Sequence, residues 1–409
     1  MSRPAYRTIA PPEPDLTPAE MVRRARDLAP YLRERSLAME QERRISDEVN
    51  ERIRELGIYR ILQPRRFGGY EFDLRTFADV MIELTRADGS TGWVTCFNTA
   101  HCWWAAQMPE EGQVELFGAD GDLRAPIMLG PTGMAKPVDG GYLLDGRWDY
   151  ASGCDIANWL GMLARVPGDG PGAPPADVII AMVPRREYRI HDNWHVLGLR
   201  ATGSKQAVVE SVFVPHHRAV SFYEMMRKFT APGHGVHRNP LYRLPLLPIV
   251  LVEAGAVVVG LAQAALDALV EYAEHKRLSF PPFTPLKDTR RVQAAVGRAS
   301  GRLEAARAGL LEIIRRQEAR AERLDRGPAF TDAEMRRDHI LMLEVMRLGH
   351  ECVDIAFVTA GSSAARTPSV LERVFRDMAM MRTHYFVDAE RVGENVGAIM
   401  FGLPPYTDY

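Results

Sequence analysis

The chain has few cysteines, almost no net charge and no long unbroken apolar run, and each scarcity removes a class of function. Its 409 residues include four cysteines, Cys96, Cys102, Cys154 and Cys352, none in Cys-x-x-Cys spacing. That pattern reads as reduced thiols of a cytoplasmic protein rather than a disulfide framework or a metal site. Against 53 Asp and Glu stand 51 Lys and Arg, a formal net charge of −2, which gives no electrostatic draw toward nucleic acid or an anionic membrane. The longest apolar run, Leu246 to Ala256, contains Pro248 and Glu253 and is expected to be too short and broken to span a bilayer. The N-terminal Met-Ser-Arg-Pro-Ala-Tyr-Arg lacks the apolar core of a secretion signal. A Gly-x-Gly-x-x-Gly fingerprint is also missing, so no Rossmann-type nicotinamide site is expected.

What is present is a chain long enough for two or three domains, with an ordinary 46% hydrophobic content. Thr17-Pro-Ala-Glu20 has capping-box spacing, and Leu28, Leu32, Leu37, Val49, Ile53 and Leu56 then follow helical period. Gly57 stops that pattern, and helical period resumes at Phe77, Val80, Met81 and Leu84. From about Leu123 the period shortens. Runs such as Tyr142–Leu144, Val178–Val183 and Val208–Val214 alternate with Gly, Pro and Asp, which is strand-and-turn punctuation. After Tyr223 helices return at about 249–278, 288–324, 331–361 and 368–400. The division reads as an N-terminal helical domain (1–122), a central β-barrel-like domain (123–222) and a C-terminal helical bundle (223–409).

The chemistry-bearing residues cluster in the middle. Gly-Tyr-Leu-Leu-Asp-Gly-Arg-Trp-Asp-Tyr-Ala-Ser-Gly at 141–153 is followed by Trp194-His-Val-Leu-Gly-Leu-Arg-Ala-Thr-Gly-Ser204 and then Val212-Phe-Val-Pro215. Phe67-Gly-Gly69, Ala87-Asp-Gly-Ser90, Ala360-Gly-Ser-Ser363 and Val370-Leu-Glu-Arg-Val-Phe-Arg-Asp377 flank them in order. Together these segments resemble the acyl-CoA dehydrogenase superfamily nearly end to end. The resemblance implies an α-helical N-terminal domain, a central β-domain and a C-terminal four-helix bundle around a flavin.

The departures point to one branch. Dehydrogenases of this fold often place a catalytic Glu shortly after the Arg-Asp pair, because removing a proton α to a thioester needs a carboxylate. Here that stretch is Arg376-Asp-Met-Ala-Met-Met-Arg-Thr-His384. With a second histidine in Asn98-Thr-Ala-His101-Cys-Trp-Trp104, the chain resembles the two-component flavin monooxygenases that share the fold. That implies reduced flavin (FMNH2 or FADH2) delivered by a separate NAD(P)H-dependent reductase, dioxygen, a C4a-hydroperoxyflavin, no metal, and a small aromatic substrate to be hydroxylated. It also implies a homotetramer. The alternatives are an FAD-dependent dehydrogenase or oxidase on the same fold, or a non-catalytic relative.

By resemblance Ser152 stands at flavin N5, backed by Trp148 and the Gly153 corner, while Trp194, Thr202 and Ser204 form the second flavin segment. His384 is the candidate proton source for dioxygen reduction, as an imidazole titrating near neutrality. His101 is the candidate base or hydrogen-bond partner for a phenolic hydroxyl. Arg277, before Phe280, occupies the place of the family's phosphate arm, although Pro281 replaces the glycine that should follow. His216-His217-Arg218 reads as a strand end in solvent, His191 and His195 lack metal-ligand spacing, and Met378–Met381 reads as bundle core. Phe97, Trp103, Trp104, Met108 and Met128 suit an aromatic pocket, but helical core packing uses the same residues.

Overall fold

Caps encoded in the sequence set the first helices of the computed structural model, which describes residues 8–404 except 119, 171, 229–230, 324–330 and 386–387. Thr17 accepts from Glu20 N at 3.2 Å and Pro18 opens α1 (Pro18–Glu42), as the spacing predicts. The Glu20 carboxylate turns instead to Arg23. Ser46 caps α2 (Asp47–Glu55), Asp73 caps α3 (Leu74–Ala87) and Asp88 caps α4 (Gly89–Ala105). A shorter α5 (Glu110–Phe117) leads to the strands.

Among the described residues, seven strands form one sheet in the order β5-β6-β2-β1-β3-β4-β7. They are β1 (Ile127–Val138), β2 (Gly141–Ala151), β3 (Trp159–Val166), β4 (Asp177–Pro184), β5 (Arg189–His191), β6 (Lys205–Pro215) and β7 (Ala219–Ser221). β1 and β3 pair in parallel and the other neighbours are antiparallel. The sheet has its own apolar core, holding Leu144, Trp148, Met162 and Val183. Trp148 lies flat on Gly133, where an added Cβ would come within 1.9 Å of the indole, and its Nε1 donates to Leu163 O at 2.6 Å.

The larger core joins both helical regions: residues of α1, α3 and α4 pack with those of α6 (Leu246–His275), α7 (Arg290–Ala321), α8 (Asp332–Ala360) and α9 (Val370–Met381). Two expectations change here. The run read as broken at Pro248 is a continuous 30-residue helix, because a proline in the first turn removes only an N–H that has no helical partner. Its most apolar window is 89% buried within the protein, so its apolarity serves packing. The single helix expected over 368–400 is two, α9 and α10 (Ala389–Met400). Asp388 accepts from Arg391 N at 3.1 Å and restarts the helix, and His384 sits in the break.

Candidate active site

The hydroxyls of Ser152, Ser204 and Thr202 meet where the end of β2 faces the segment leading into β6. Tyr150, with φ +67°, turns the chain out of β2, and Ser152 N donates back to Tyr150 O at 2.9 Å. Gly153, at φ +77°, donates to Thr202 O at 2.8 Å, and a Cβ there would lie 2.7 Å from Val94. That glycine is what lets the corner close against α4. Ser152 Oγ lies 2.8 Å from Ser204 Oγ, Ser204 Oγ lies 2.6 Å from Thr202 Oγ1, and Thr202 donates to Leu199 O at 2.8 Å. Trp93 Nε1 donates to Ser152 at 3.1 Å.

From Trp93 an aromatic ladder runs along α4. Its ring is 4.5 Å from Phe97, Phe97 is 5.9 Å from His101, and His101 is 5.8 Å from Trp104. His384 meets Trp93 edge-on at 5.6 Å. One indole therefore connects both candidate histidines to the serine cluster. Burial pushes the His101 and His384 imidazoles down to about 4, so neither titrates near neutrality as the sequence suggested. Ala125 O can only accept, so the 2.8 Å contact fixes the proton on His101 Nδ1 and leaves Nε2 as an acceptor in the neutral ring.

The second segment is held by α9. Leu199 adopts a left-handed conformation at φ 52°, unusual for a branched aliphatic residue. Its N–H donates to Asp377 Oδ1 at 2.6 Å, and Trp194 Nε1 donates to its carbonyl at 3.4 Å. Burial raises the Asp377 carboxyl to about 7, although the Leu199 hydrogen bond pulls the other way. Arg376 reaches Leu197 O at 3.0 Å and Glu40 at 2.6 Å. The Arg-Asp pair thus clamps the strained segment that carries Thr202 and Ser204.

The structure therefore brings Ser152, Gly153, Thr202, Ser204, His384 and, through Phe97, His101 into one region, with Trp194 bracing it from behind. It separates Trp148, whose indole is 1% exposed inside the sheet core and offers no face to a ligand. Arg277 is exposed and donates to Phe283 O at 3.2 Å, in a turn that bridges to Pro285. Of His216–Arg218, which follows β6, His216 is exposed as expected, whereas His217 and Arg218 both bind Glu115 of α5. Trp93 and Asp377 were missed as site residues. Trp93, Phe97 and His101 recur at i, i+4 and i+8, one face of a helix, which is the signal that marks Trp93.

The residues fit the edge of a flavin ring. A half-buried hydroxyl stands beside an apolar indole, at a corner that Gly153 lets pack closely on Val94 of α4. Two surface clefts, about 280 Å³ between α1 and α2 and about 350 Å³ where α7 meets α8, are lined by other residues.

Comparison with known proteins identifies the family. Residues 19–114 match the acyl-CoA dehydrogenase N-terminal domain and residues 252–389 the acyl-CoA dehydrogenase C-terminal domain. The flavin-dependent monooxygenase oxygenase subunit HsaA of Rhodococcus jostii strain RHA1 is 34% identical over 92% of this chain and 97% of its own length. The oxygenase component of an FADH2-dependent resorcinol hydroxylase from Rhizobium sp. strain MTP-10005 is 30% identical over 95% and 96%. The crystal structure of the 3-HSA hydroxylase from Rhodococcus sp. RHA1 superposes with a TM-score of 0.88 at 34% identity, covering 95% of this chain and 98% of that one.

Proposed function

The chain belongs to the oxygenase subunits of flavin-dependent monooxygenases, on the acyl-CoA dehydrogenase fold, and from that premise we propose that it hydroxylates a small phenol at the surface where Ser152, Trp93, His384 and His101 meet. It is an oxidoreductase, and as an oxygenase component it works with a separate reductase that provides reduced flavin. When bound, the reduced flavin supplies the two electrons that activate dioxygen, with one oxygen atom passing to the substrate and the other leaving as water.

The observation that carries the reading is the half-buried Ser152 hydroxyl bonded to Trp93, an indole that also meets His384 and leads through Phe97 to His101. Ser152 hydrogen-bonds the flavin N5 edge, and Gly153, packed on Val94 of α4, holds the corner that presents it. Trp93 and Phe97 keep water from that edge, which protects the oxygen-transfer step from loss as hydrogen peroxide. His384 gives dioxygen a polar N–H contact rather than an imidazolium proton. His101 Nε2 accepts from the phenolic hydroxyl. The name of the resorcinol-hydroxylating relative supports a phenol as substrate. FMN and FAD share the ring, so the ring-facing residues serve either. The four buried, unbridged cysteines support a reducing compartment.

One experiment tests the site. Chain loaded anaerobically with reduced FMN or FAD is mixed with oxygenated buffer and a panel of phenols, and oxygen uptake, hydroxylated product and hydrogen peroxide are followed. Wild type should give product. Ser152→Ala should divert turnover to hydrogen peroxide, and His384→Ala should slow oxygen uptake. Losing one such hydrogen bond costs roughly 1–3 kcal/mol, a ten- to hundredfold change in the affected rate. Wild-type behaviour in both variants would remove these residues from the site.

The active form is a homotetramer, a dimer of dimers. Val358, Val370 and Met400 of the C-terminal helices and Phe401, just past α10, are exposed, apolar surface of the kind that subunit contacts bury. Light scattering should report four chains, and a fully active monomer would refute this assembly.

A further inference from the structure

The hydroxyl chain has a fixed proton order. Leu199 O has no proton to give, so its 2.8 Å contact with Thr202 Oγ1 requires Thr202 to donate. Thr202 must then accept from Ser204 across 2.6 Å, and Ser204 must accept from Ser152 across 2.8 Å. At the other end Trp93 Nε1, a donor only, gives its proton to Ser152 at 3.1 Å. A hydroxyl has one proton and two lone pairs. The Ser152 proton points inward, one lone pair is held by Trp93, and the group left facing outward is the second lone pair.

Burial protects this order. Thr202 and Ser204 are 1% and 4% exposed, whereas Ser152 is half-buried, so the chain reaches the surface only at Ser152. Asp377 accepts from the Leu199 N–H and Trp194 donates to the Leu199 carbonyl, fixing the residue whose carbonyl dictates the direction. A flavin N5 is a bare acceptor when oxidised and carries a proton when reduced. An outward lone pair accepts from the reduced form and opposes the lone pair of the oxidised one.

We propose that Thr202 and Ser204 are specificity-determining positioning residues that select reduced over oxidised flavin by holding Ser152 as a hydrogen-bond acceptor. The inference rests on the flavin reading above and assigns it a cause in named hydroxyls away from the ring. Removing either inner hydroxyl frees the Ser152 proton to turn outward, where it donates to oxidised N5 and no longer favours the reduced form.

The test is anaerobic titration of the full-length chain with oxidised and with reduced FMN and FAD, following flavin fluorescence and heat. Wild type should bind the reduced form more tightly. Thr202→Val and Ser204→Ala should each shrink the ratio of oxidised to reduced dissociation constants about tenfold, one hydrogen bond's worth. For a two-electron couple that is a fall of about 30 mV in the bound-flavin midpoint potential. Thr202→Ser, which restores the hydroxyl, should keep the wild-type ratio, whereas mere repacking would move both forms alike. The two variants cut the chain at different links, so failure of one to fold leaves the other to decide. A ratio within twofold of wild type in a folded, flavin-binding variant overturns the proposal, as does a Thr202→Ser ratio matching Thr202→Val. If wild type binds neither flavin, the functional reading falls first and this inference with it.

Discussion

Replacing His101 with alanine should lower kcat/KM for a phenolic substrate about a hundredfold while the variant still takes up oxygen with reduced flavin. The size follows from the state of the ring. Burial holds the imidazole near 4, far below an ordinary phenol at about 10, so full proton abstraction before oxygen transfer is too uphill to be its main contribution. Its part is to accept the phenolic O–H through Nε2, aligning the ring and drawing the proton as the aromatic carbon is attacked. That places the effect at the lower end of general-base assistance, roughly 10²- to 10⁴-fold. The imidazole also predicts a flat profile: above about pH 5 it is already neutral, so kcat/KM should show no inflection from this group between pH 6 and 8. A loss under threefold, or an acid limb near 6.5 that disappears in His101→Ala, would remove His101 from this role.

The outline of the fold was readable because local signals agree with the tertiary solution. Thr17, Ser46 and Asp73 cap the helices they precede, and the shift to strand punctuation near Leu123 comes just before β1 begins at Ile127. Two misreadings have one origin, the weight given to a residue type without its place in the element. Pro248 interrupts nothing, since it lies in the first turn of α6. The apolar positions at 370–400 continue across the break between α9 and α10 because both helices bury a face, and only Asp388 marks the restart.

The same distinction governs the site. Ser152, Thr202 and Ser204 stand out as serine and threonine beside glycine, but no local pattern shows that Ser152 bonds to the other two, because some fifty residues separate it from them and β2–β6 pairing closes the distance. Trp148 looked like a flavin neighbour from its position four residues before Ser152. In the strand its side chain points into the sheet, while the chain leaves β2 through the left-handed Tyr150 before reaching Ser152. Asp377 was visible within a motif, yet its role depends on Leu199, on a distant segment. Burial, which sets both imidazoles near 4 and Asp377 near 7, is a property of the packed molecule and has no local signature.

Acid should weaken the fold through its buried histidines, and His237 isolates the effect because it lies outside the proposed site. His237 packs against Phe67 and Tyr242, its Nε2 lies 2.7 Å from Gln113 Oε1, and burial lowers it from 6.5 to about 4. The folded chain therefore refuses a proton that the unfolded chain takes up near pH 6.5. Below that pH the unfolded state binds more protons, so stability falls as pH drops and the full penalty is reached near pH 4. At about 1.4 kcal/mol per unit, the contribution of His237 is on the order of 3 kcal/mol, and His101 and His384 act in the same direction. Asp377 opposes them, since a carboxyl raised to about 7 stabilises the fold as pH falls through that value. Comparing wild type with His237→Phe cancels that opposition. Near pH 7.5 wild type should be the more stable, because it keeps the bond to Gln113. Between pH 6.5 and 4 wild type alone bears the protonation penalty, so the difference in thermal midpoint should close and then reverse. A difference that stays constant from pH 7.5 to 4 would mean that His237 titrates alike in the folded and unfolded chain, and that its burial does not set its charge.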